Sequence, residues 1–375
     1  MKRYLHQLIL KDLNKKMVFI TGPRQVGKTY FAKQIMTEFP NSVYLNFDDI
    51  DHAKIIQKRT WPINTDLLIF DEIHKMKKWK IFLKGTFDTK TENQKILVTG
   101  SARLETFRQG GESLAGRYFH YRLNPLSVKE LSAGLPPDEA LVRLNKLGGF
   151  PEPQLSNNEN EANRWRQQYY SDLIREDILE FSKIQEIRAI KILAELLRKR
   201  AGSPISHFSL SLDLQISPHT VSKYIAILES LYIIFSIRPF HKNIARSILK
   251  EPKIYFYDTG LVLGDEGKRL ENTAAVSLLK HAQYLNDSCG KNISLHYLRT
   301  KDGKEIDFLL AEENEFKQAV EVKLSDSGIS RHLKYFKNKF PDIPMVQLVQ
   351  NLRQAREEDG ISVVSAAAWL AQLSA

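Results

Sequence analysis

Met17-Val-Phe-Ile-Thr-Gly22-Pro-Arg-Gln-Val-Gly27-Lys28-Thr29 decides how the first part of this chain folds. Met17 to Thr21 is a short apolar run, the length of a buried parallel strand. Gly22 to Thr29 then meets the phosphate-loop pattern G-x-x-x-x-G-K-[ST] at every fixed position. Each residue type answers a need of a bound phosphate. Gly22 and Gly27 let the backbone turn its N–H groups, those of Gln25 and Val26 included, onto an anion without a Cβ in the way. Lys28 reaches the β- and γ-phosphates, and Thr29 offers its hydroxyl to Mg2+. A helix expected from Thr29 to Phe39 points its positive end at the anion. ATP and Mg2+ are the expected ligands.

The segments that follow supply the rest of such a site. Val43 to Phe47 reads as the next strand, ending in Asp48 and Asp49, which either support the site or cap the following helix. Asp66 opens a third strand, and Leu67 to Phe70 runs into Asp71-Glu72. Paired acids ending an apolar strand form the second half of a nucleotide hydrolase site: Asp71 holds the Mg2+ shell and Glu72 activates the attacking water. Ile96 to Thr99 is a fourth strand, ending in Gly100-Ser101. Ser101 either senses the γ-phosphate or caps the helix after it. Arg117 precedes a fifth strand, Tyr118 to Leu123. It is either a finger onto the nucleotide of a neighbouring subunit, which makes the protein a homo-oligomer, or a strand-edge salt bridge. Between the third and fourth strands, Trp79, Phe82 and Leu83 form an apolar stripe under a lysine-rich face.

These motifs carry a resemblance. GPRQVGKT (22–29), YLNFDD (44–49), LLIFDEI (67–73), LVTGSA (97–102) and LAGRYFHYRLNPLS (114–127), in this order, resemble a widespread family of bacterial and archaeal AAA+-type ATPases. In that family a C-terminal domain of unknown function follows the ATPase. GGFPEP (148–153) and YFYDTGL (255–261) also resemble its motifs, so the likeness spans nearly the whole chain. It implies an ATP-binding and hydrolysing first domain, and settles architecture better than purpose.

Composition bounds the remainder. The chain has 375 residues, enough for two or three domains, with 42% hydrophobic and 26% charged residues, as in ordinary soluble protein. A single cysteine, Cys289, excludes a disulfide framework and a cysteine-built zinc site, and fits a reducing cytoplasm. No run of eighteen apolar residues is present, so no membrane span is expected. The net charge of +11 points to nucleic acid or to a solvated basic surface. Residues 191–253 hold ten lysines and arginines against four acids, a localised excess that favours DNA.

The expected order is α/β throughout. An AAA+-type P-loop parallel sheet occupies 1–124, and a helical lid and linker 125–195, with Pro151 to Asn160 as the linker. Trp165, Tyr169, Leu173, Ile178 and Phe181 recur at helical spacing and read as core. A winged helix-turn-helix is expected over 196–245. Ser217 caps a helix begun by Pro218, with Val221, Ile225 and Leu228 buried and His219, Thr220, Ser222 and Lys223 outward. Tyr232 to Phe240 is the wing, and the module binds either DNA or protein.

An α/β tail fills 246–375. In Glu305-Ile-Asp307-Phe-Leu-Leu, alternation puts Ile306, Phe308 and Leu310 on one face and Asp307 on the other. In Ala319-Val-Glu321-Val-Lys323-Leu it leaves Glu321 and Lys323 together. Adjacent strands would join Asp307 to them as two metal-holding carboxylates with a lysine that positions water. A surface Glu321–Lys323 salt bridge accounts for the same spacing. The hairpin resembles the PD-(D/E)XK nuclease core, and that resemblance implies a further acid on a helix, here Glu271.

Overall fold

The computed structural model describes residues 2–100, 114–179, 184–241, 250–313 and 315–375; for 175–179 and 184–185 it describes the backbone alone. Ser101, Phe181, Lys242 and Arg246 lie outside the described residues, as does the side chain of Ile178. The chain divides into two compact units, Met1–Asn124 and Pro125–Ala375.

The first unit is a parallel five-stranded sheet. Its strands are β1 (Met17–Thr21), β2 (Ser42–Asn46), β3 (Leu67–Asp71), β4 (Lys95–Thr99) and β5 (Tyr118–Arg122), in the order β2-β3-β4-β1-β5. Among them run α1 (His6–Leu13), α2 (Lys28–Met36), α3 (Ile50–Lys58) and α4 (Trp79–Thr89). β1 and β3 lie inside the sheet and are buried at every residue, which is why they read as unbroken apolar runs. Asp49 accepts from the backbone N–H groups of Asp51 and His52, so it caps α3. Asp48 is instead taken by Lys75, at 2.6 and 2.8 Å. Phe82 and Leu83 are buried on α4, with Trp79 packed beside them.

The second unit begins with α5 (Val128–Leu131), α6 (Pro137–Leu147), α7 (Pro151–Ser156), α8 (Glu159–Leu179) and α9 (Ile184–Lys199). The segment expected as a linker is therefore helical. Pro151 sits in the first turn of α7, where its missing N–H costs nothing. The Asn158 side chain accepts from the N–H groups of Asn160 and Glu161, closing the start of α8. The short helices expected as a nucleotide lid are built into this second unit. Lys280, 1% exposed, donates to the Pro125 carbonyl and the Ser127 hydroxyl at 3.0 and 3.1 Å and pairs with buried Glu130.

α10 (His207–Leu214) and α11 (Pro218–Ser230) form the helix pair. Gln215 turns left-handed between them, and the Ser217 hydroxyl accepts from the Thr220 N–H. Val221, Ile225 and Leu228 are buried, while His219, Ser222 and Lys223 are exposed and Thr220 is half-buried.

An eight-stranded mixed sheet follows, in the order β12-β13-β11-β10-β9-β8-β6-β7. Its strands are β6 (Ile234–Pro239), β7 (Lys253–Phe256), β8 (Ile293–Arg299), β9 (Glu305–Glu312), β10 (Glu315–Ser325), β11 (Met345–Asn351), β12 (Arg356–Glu358) and β13 (Ile361–Ser365). Three helices accompany it: α12 (Glu266–Cys289), α13 (Arg331–Lys339) and α14 (Ala366–Ala371). β6, expected as a wing, pairs antiparallel with β7 and parallel with β8, so the helix pair runs straight into the tail's own sheet.

Two motifs separated by about a hundred residues meet inside this unit. Arg166 on α8 and Asp258 after β7 form an ion pair at 2.8 Å, with side chains 6% and 0% exposed. A Cβ at Gly148 would stand 1.8 Å from the Asp258 Oδ1, and one at Gly260 1.9 Å from the Arg166 guanidinium. The glycines of GGFPEP and YFYDTGL thus make room for a buried pair.

Candidate functional site

The phosphate loop leaves β1 and enters α2. Gly22 has φ +147°, and a Cβ there would lie 2.3 Å from the Leu123 carbonyl oxygen at the end of β5. Only glycine fits that approach. Gln25 and Gly27 take positive φ, 57° and 95°, which curls the loop over the start of α2. Val26 is fully buried, and its carbonyl accepts from the Arg3 guanidinium at 3.0 Å, tying the loop to the start of the chain.

Lys28 folds back into this loop, donating to the carbonyls of Gly22 at 3.0 Å and Pro23 at 2.7 Å. Burial lowers its pKa to about 8, against the favourable charges of Glu72 and Asp71. It stays a cation at neutral pH, and an arriving phosphate would return the proton-binding strength that burial removes.

Asp71 is the hub. Its Oδ2 accepts from the Thr29 hydroxyl at 2.7 Å and the Tyr44 hydroxyl at 2.6 Å, and its Oδ1 from the Thr99 hydroxyl at 2.6 Å. Sheet register puts them together: Asp71 stands opposite Asn46 on β2 and opposite Thr99 on β4. Burial, then the hydrogen bond to Asp71, raises the Tyr44 phenol above its ordinary value, so Tyr44 keeps the proton that it donates to Asp71. Glu72 follows in left-handed backbone, φ 54°, with its carboxylate 3.6 Å from His74 and 3.8 Å from Lys75. Burial raises its pKa; Asp71 adds to the shift, and Lys28 and Lys75 oppose it. A carboxylate poised upward in this way suits proton abstraction.

The structure thus brings together Gly22, Gln25, Val26, Gly27, Lys28, Thr29, Asp71 and Glu72. Tyr44 and Thr99 join them although the sequence reading passed them over. The one signal for Thr99 was a hydroxyl closing an apolar strand; Tyr44 gave none. Arg117 is not among the group. It precedes β5, at the end of the sheet away from the loop, and grips Asp88 with bonds of 2.7 and 3.1 Å, a pairing that fits the strand-edge salt bridge.

In the second unit the hairpin does bring Asp307, Glu321 and Lys323 together. Asp307 Oδ2 accepts from the Val322 N–H at 2.9 Å, and Lys323 pairs with Glu321 at 2.7 Å. Glu271 arrives on α12, its carboxylate accepting from the Tyr255 hydroxyl at 2.7 Å. Glu321 is only 4% exposed, and the β11 residue in register with it, Gln347, accepts from the Ser330 N–H at the start of α13, so the face is covered there rather than open to solvent. Yet among the described residues no three carboxylates, imidazoles or thiolates converge as a metal cage. A lysine from β7, counted in the sequence only within the basic stretch 191–253, stands beside Glu271 and Asp307 at 3.5 and 3.8 Å: Lys253, 2% exposed.

Part of the charge over 191–253 is paired: Arg198 with Glu195, Arg200 with Asp213 and Lys223 with Glu186 at the surface, and buried Lys253 with Glu305.

Residues 14–132 match the family described as AAA domain. The match supports an AAA+-type ATPase. Two domains of unknown function match the rest, DUF8612 over residues 138–264 and DUF4143 over 266–369. The chain is 26% identical over 370 residues to the uncharacterized protein MJ1544 of Methanocaldococcus jannaschii, covering 90% of this chain and 81% of that one. It is 25% identical to an uncharacterized protein of Haemophilus influenzae, covering 99% and 98%. Among solved structures, a Walker-type ATPase of Pyrococcus abyssi aligns with TM-score 0.46 and 15% identity, over 70% of this chain and 94% of that one. At that score the likeness carries no weight for fold or function. No described helix is long and apolar enough to cross a membrane.

Proposed function

We propose that the protein binds Mg-ATP at the phosphate loop and hydrolyses it, with Glu72 as the base that activates water. The observation that carries this reading is the Asp71 hub, where a loop hydroxyl and the strand-end carboxylate lie 2.7 Å apart beside Lys28 and Glu72. Thr29 and Asp71 offer the hard oxygen donors that suit Mg2+, and these two residues would hold it. Bound there, the ion would neutralise charge on the β- and γ-phosphate oxygens. The chain's own parts do the rest. Loop N–H groups and the start of α2 bind the phosphates, Lys28 releases its two carbonyls to take up the anion, and Tyr44 and Thr99 fix Asp71 in orientation. Glu72 takes the proton of the attacking water.

The test is ATP turnover with and without Mg2+. Glu72→Gln should keep ATP affinity within about threefold and lose roughly 10²- to 10⁴-fold in kcat. Unchanged turnover in that variant removes Glu72 from the role.

For the second unit, the pairing of Arg198, Arg200 and Lys223 with carboxylates favours a nucleotide-governed module that binds a protein partner over one that grips DNA phosphates. Addition of duplex or single-stranded DNA should then leave turnover unchanged. Stimulation by DNA, lost in salt with a slope of about −5 on logarithmic axes, would establish the DNA-acting reading instead.

A further inference from the structure

The Lys253 ammonium stands 2.7 Å from Glu305, 3.5 Å from Glu271 and 3.8 Å from Asp307, with its head 5.5 Å from the centre of the Tyr297 ring. Three carboxylates thus surround one buried ammonium, itself 2% exposed. The surrounding oxygens are already committed. Glu271 accepts from Tyr255, Glu305 also pairs with Arg299 at 3.2 Å, Asp307 accepts from the Val322 N–H, and Glu321 is held by Lys323. An ion bonded to both Glu271 and Asp307 at about 2.1 Å would stand within about 6 Å of the ammonium, in a site with little water to screen the repulsion.

We infer that Lys253 is the resident cation of this carboxylate cluster, so that the cluster takes no divalent metal and cuts no nucleic acid while Lys253 is in place, and becomes a divalent-metal site once that ammonium is removed. β7 ends the sheet, separated from β9 by β6 and β8, and the Lys253 side chain reaches the acids of β9 and α12. Three cations, Lys253, Lys323 and Arg299, stand among the four carboxylates Glu271, Glu305, Asp307 and Glu321. ATP hydrolysis in the first unit plays no part in this.

The experiment is a Mn2+ titration of the full chain, followed by electron paramagnetic resonance of the free ion. It is run in an Asp71→Asn background that disables the first unit's metal position. With Lys253 present, no site tighter than about 1 mM is expected. Adding Lys253→Met should create one site at least about tenfold tighter, which Asp307→Asn in the same chain abolishes. Lys253→Gln, with a polar but uncharged side chain, replaces the methionine variant should that one fail to fold. Mn2+ binding tighter than about 1 mM that needs Asp307 while Lys253 is in place overturns the inference. So does a folded Lys253→Met chain that binds no Mn2+, and so does Mg2+- or Mn2+-dependent plasmid nicking by the unmodified protein that Asp307→Ala removes.

Discussion

Breaking the Arg166–Asp258 pair should unfold the second unit far more readily than surface charge pairs would suggest. An exposed ion pair contributes about 0–1 kcal/mol, whereas loss of one partner from a buried pair costs about 3–5 kcal/mol, because the other charge stays out of water. Exposures of 6% and 0% put this pair in the second class. The remaining bonds do not compensate. Without Asp258, the guanidinium keeps, among the described residues, Asn163 at 2.9 Å and the Leu147 carbonyl. Without Arg166, the fully buried Asp258 carboxylate keeps only the Gly260 N–H at 3.1 Å, among the hydrogen bonds found in the described residues. Asp258→Ala and Arg166→Met should each cost about 3–5 kcal/mol, and the double variant should cost less than the sum by about 2 kcal/mol or more. Urea unfolding reports it, followed by the fluorescence of Trp165 and Trp369 in a background where Trp61 and Trp79 are phenylalanine. Single costs below about 1 kcal/mol, or additivity within about 0.5 kcal/mol, would refute the reasoning.

Two further outcomes concern the first unit. Lys28, with a pKa of about 8, is fully charged below that pH, so ATP affinity should be flat there. Above it the free enzyme loses the proton that the complex regains, so Kd should rise by about tenfold per pH unit, and Lys28→Arg should flatten the profile; a fluorescent-nucleotide titration from pH 6 to 10 reads it. Tyr44→Phe and Thr99→Val each remove one donor from Asp71, and a hydrogen bond to a charged group is worth about 1.5–3 kcal/mol. Each should lower thermal stability of the first unit and raise the Mg2+ needed for half-maximal turnover, Thr99→Val more strongly because Thr99 is wholly buried. Identical Mg2+ dependence in both variants would mean that Asp71 needs no help in holding its orientation.

The phosphate loop and the acids of the first unit were legible in the sequence. A phosphate loop is local: its glycines, lysine and threonine sit within eight residues and fold on their own backbone, so pattern and site coincide. Asp71-Glu72 was equally legible, because a buried parallel strand must be apolar until it ends, and its end is where the sheet binds ligands. Tyr44 and Thr99 were invisible, since their meeting with Asp71 depends on which strand lies beside which, and strand order follows from packing rather than from period. Residues 151–160 read as a linker for a local reason: proline at a helix start and asparagine at a cap look like loop chemistry until the turns behind them are seen.

The chemistry of the second unit depends on contacts between distant segments. Alternation put Asp307, Glu321 and Lys323 on one face of a hairpin but said nothing of what covers that face. Glu321 is buried there, and β7 sends Lys253 to the side of Asp307 from more than fifty residues upstream in the chain. Likewise the excess of basic residues over 191–253 read as a surface for an anionic partner, while the fold pairs Arg198, Arg200 and Lys223 with Glu195, Asp213 and Glu186 and buries Lys253 beside Glu305. Charge can be counted along a chain. Whether it faces solvent or another charge is set by contacts between residues far apart in sequence, because the electrostatic energy of a pair depends on distance and burial, neither of which composition contains.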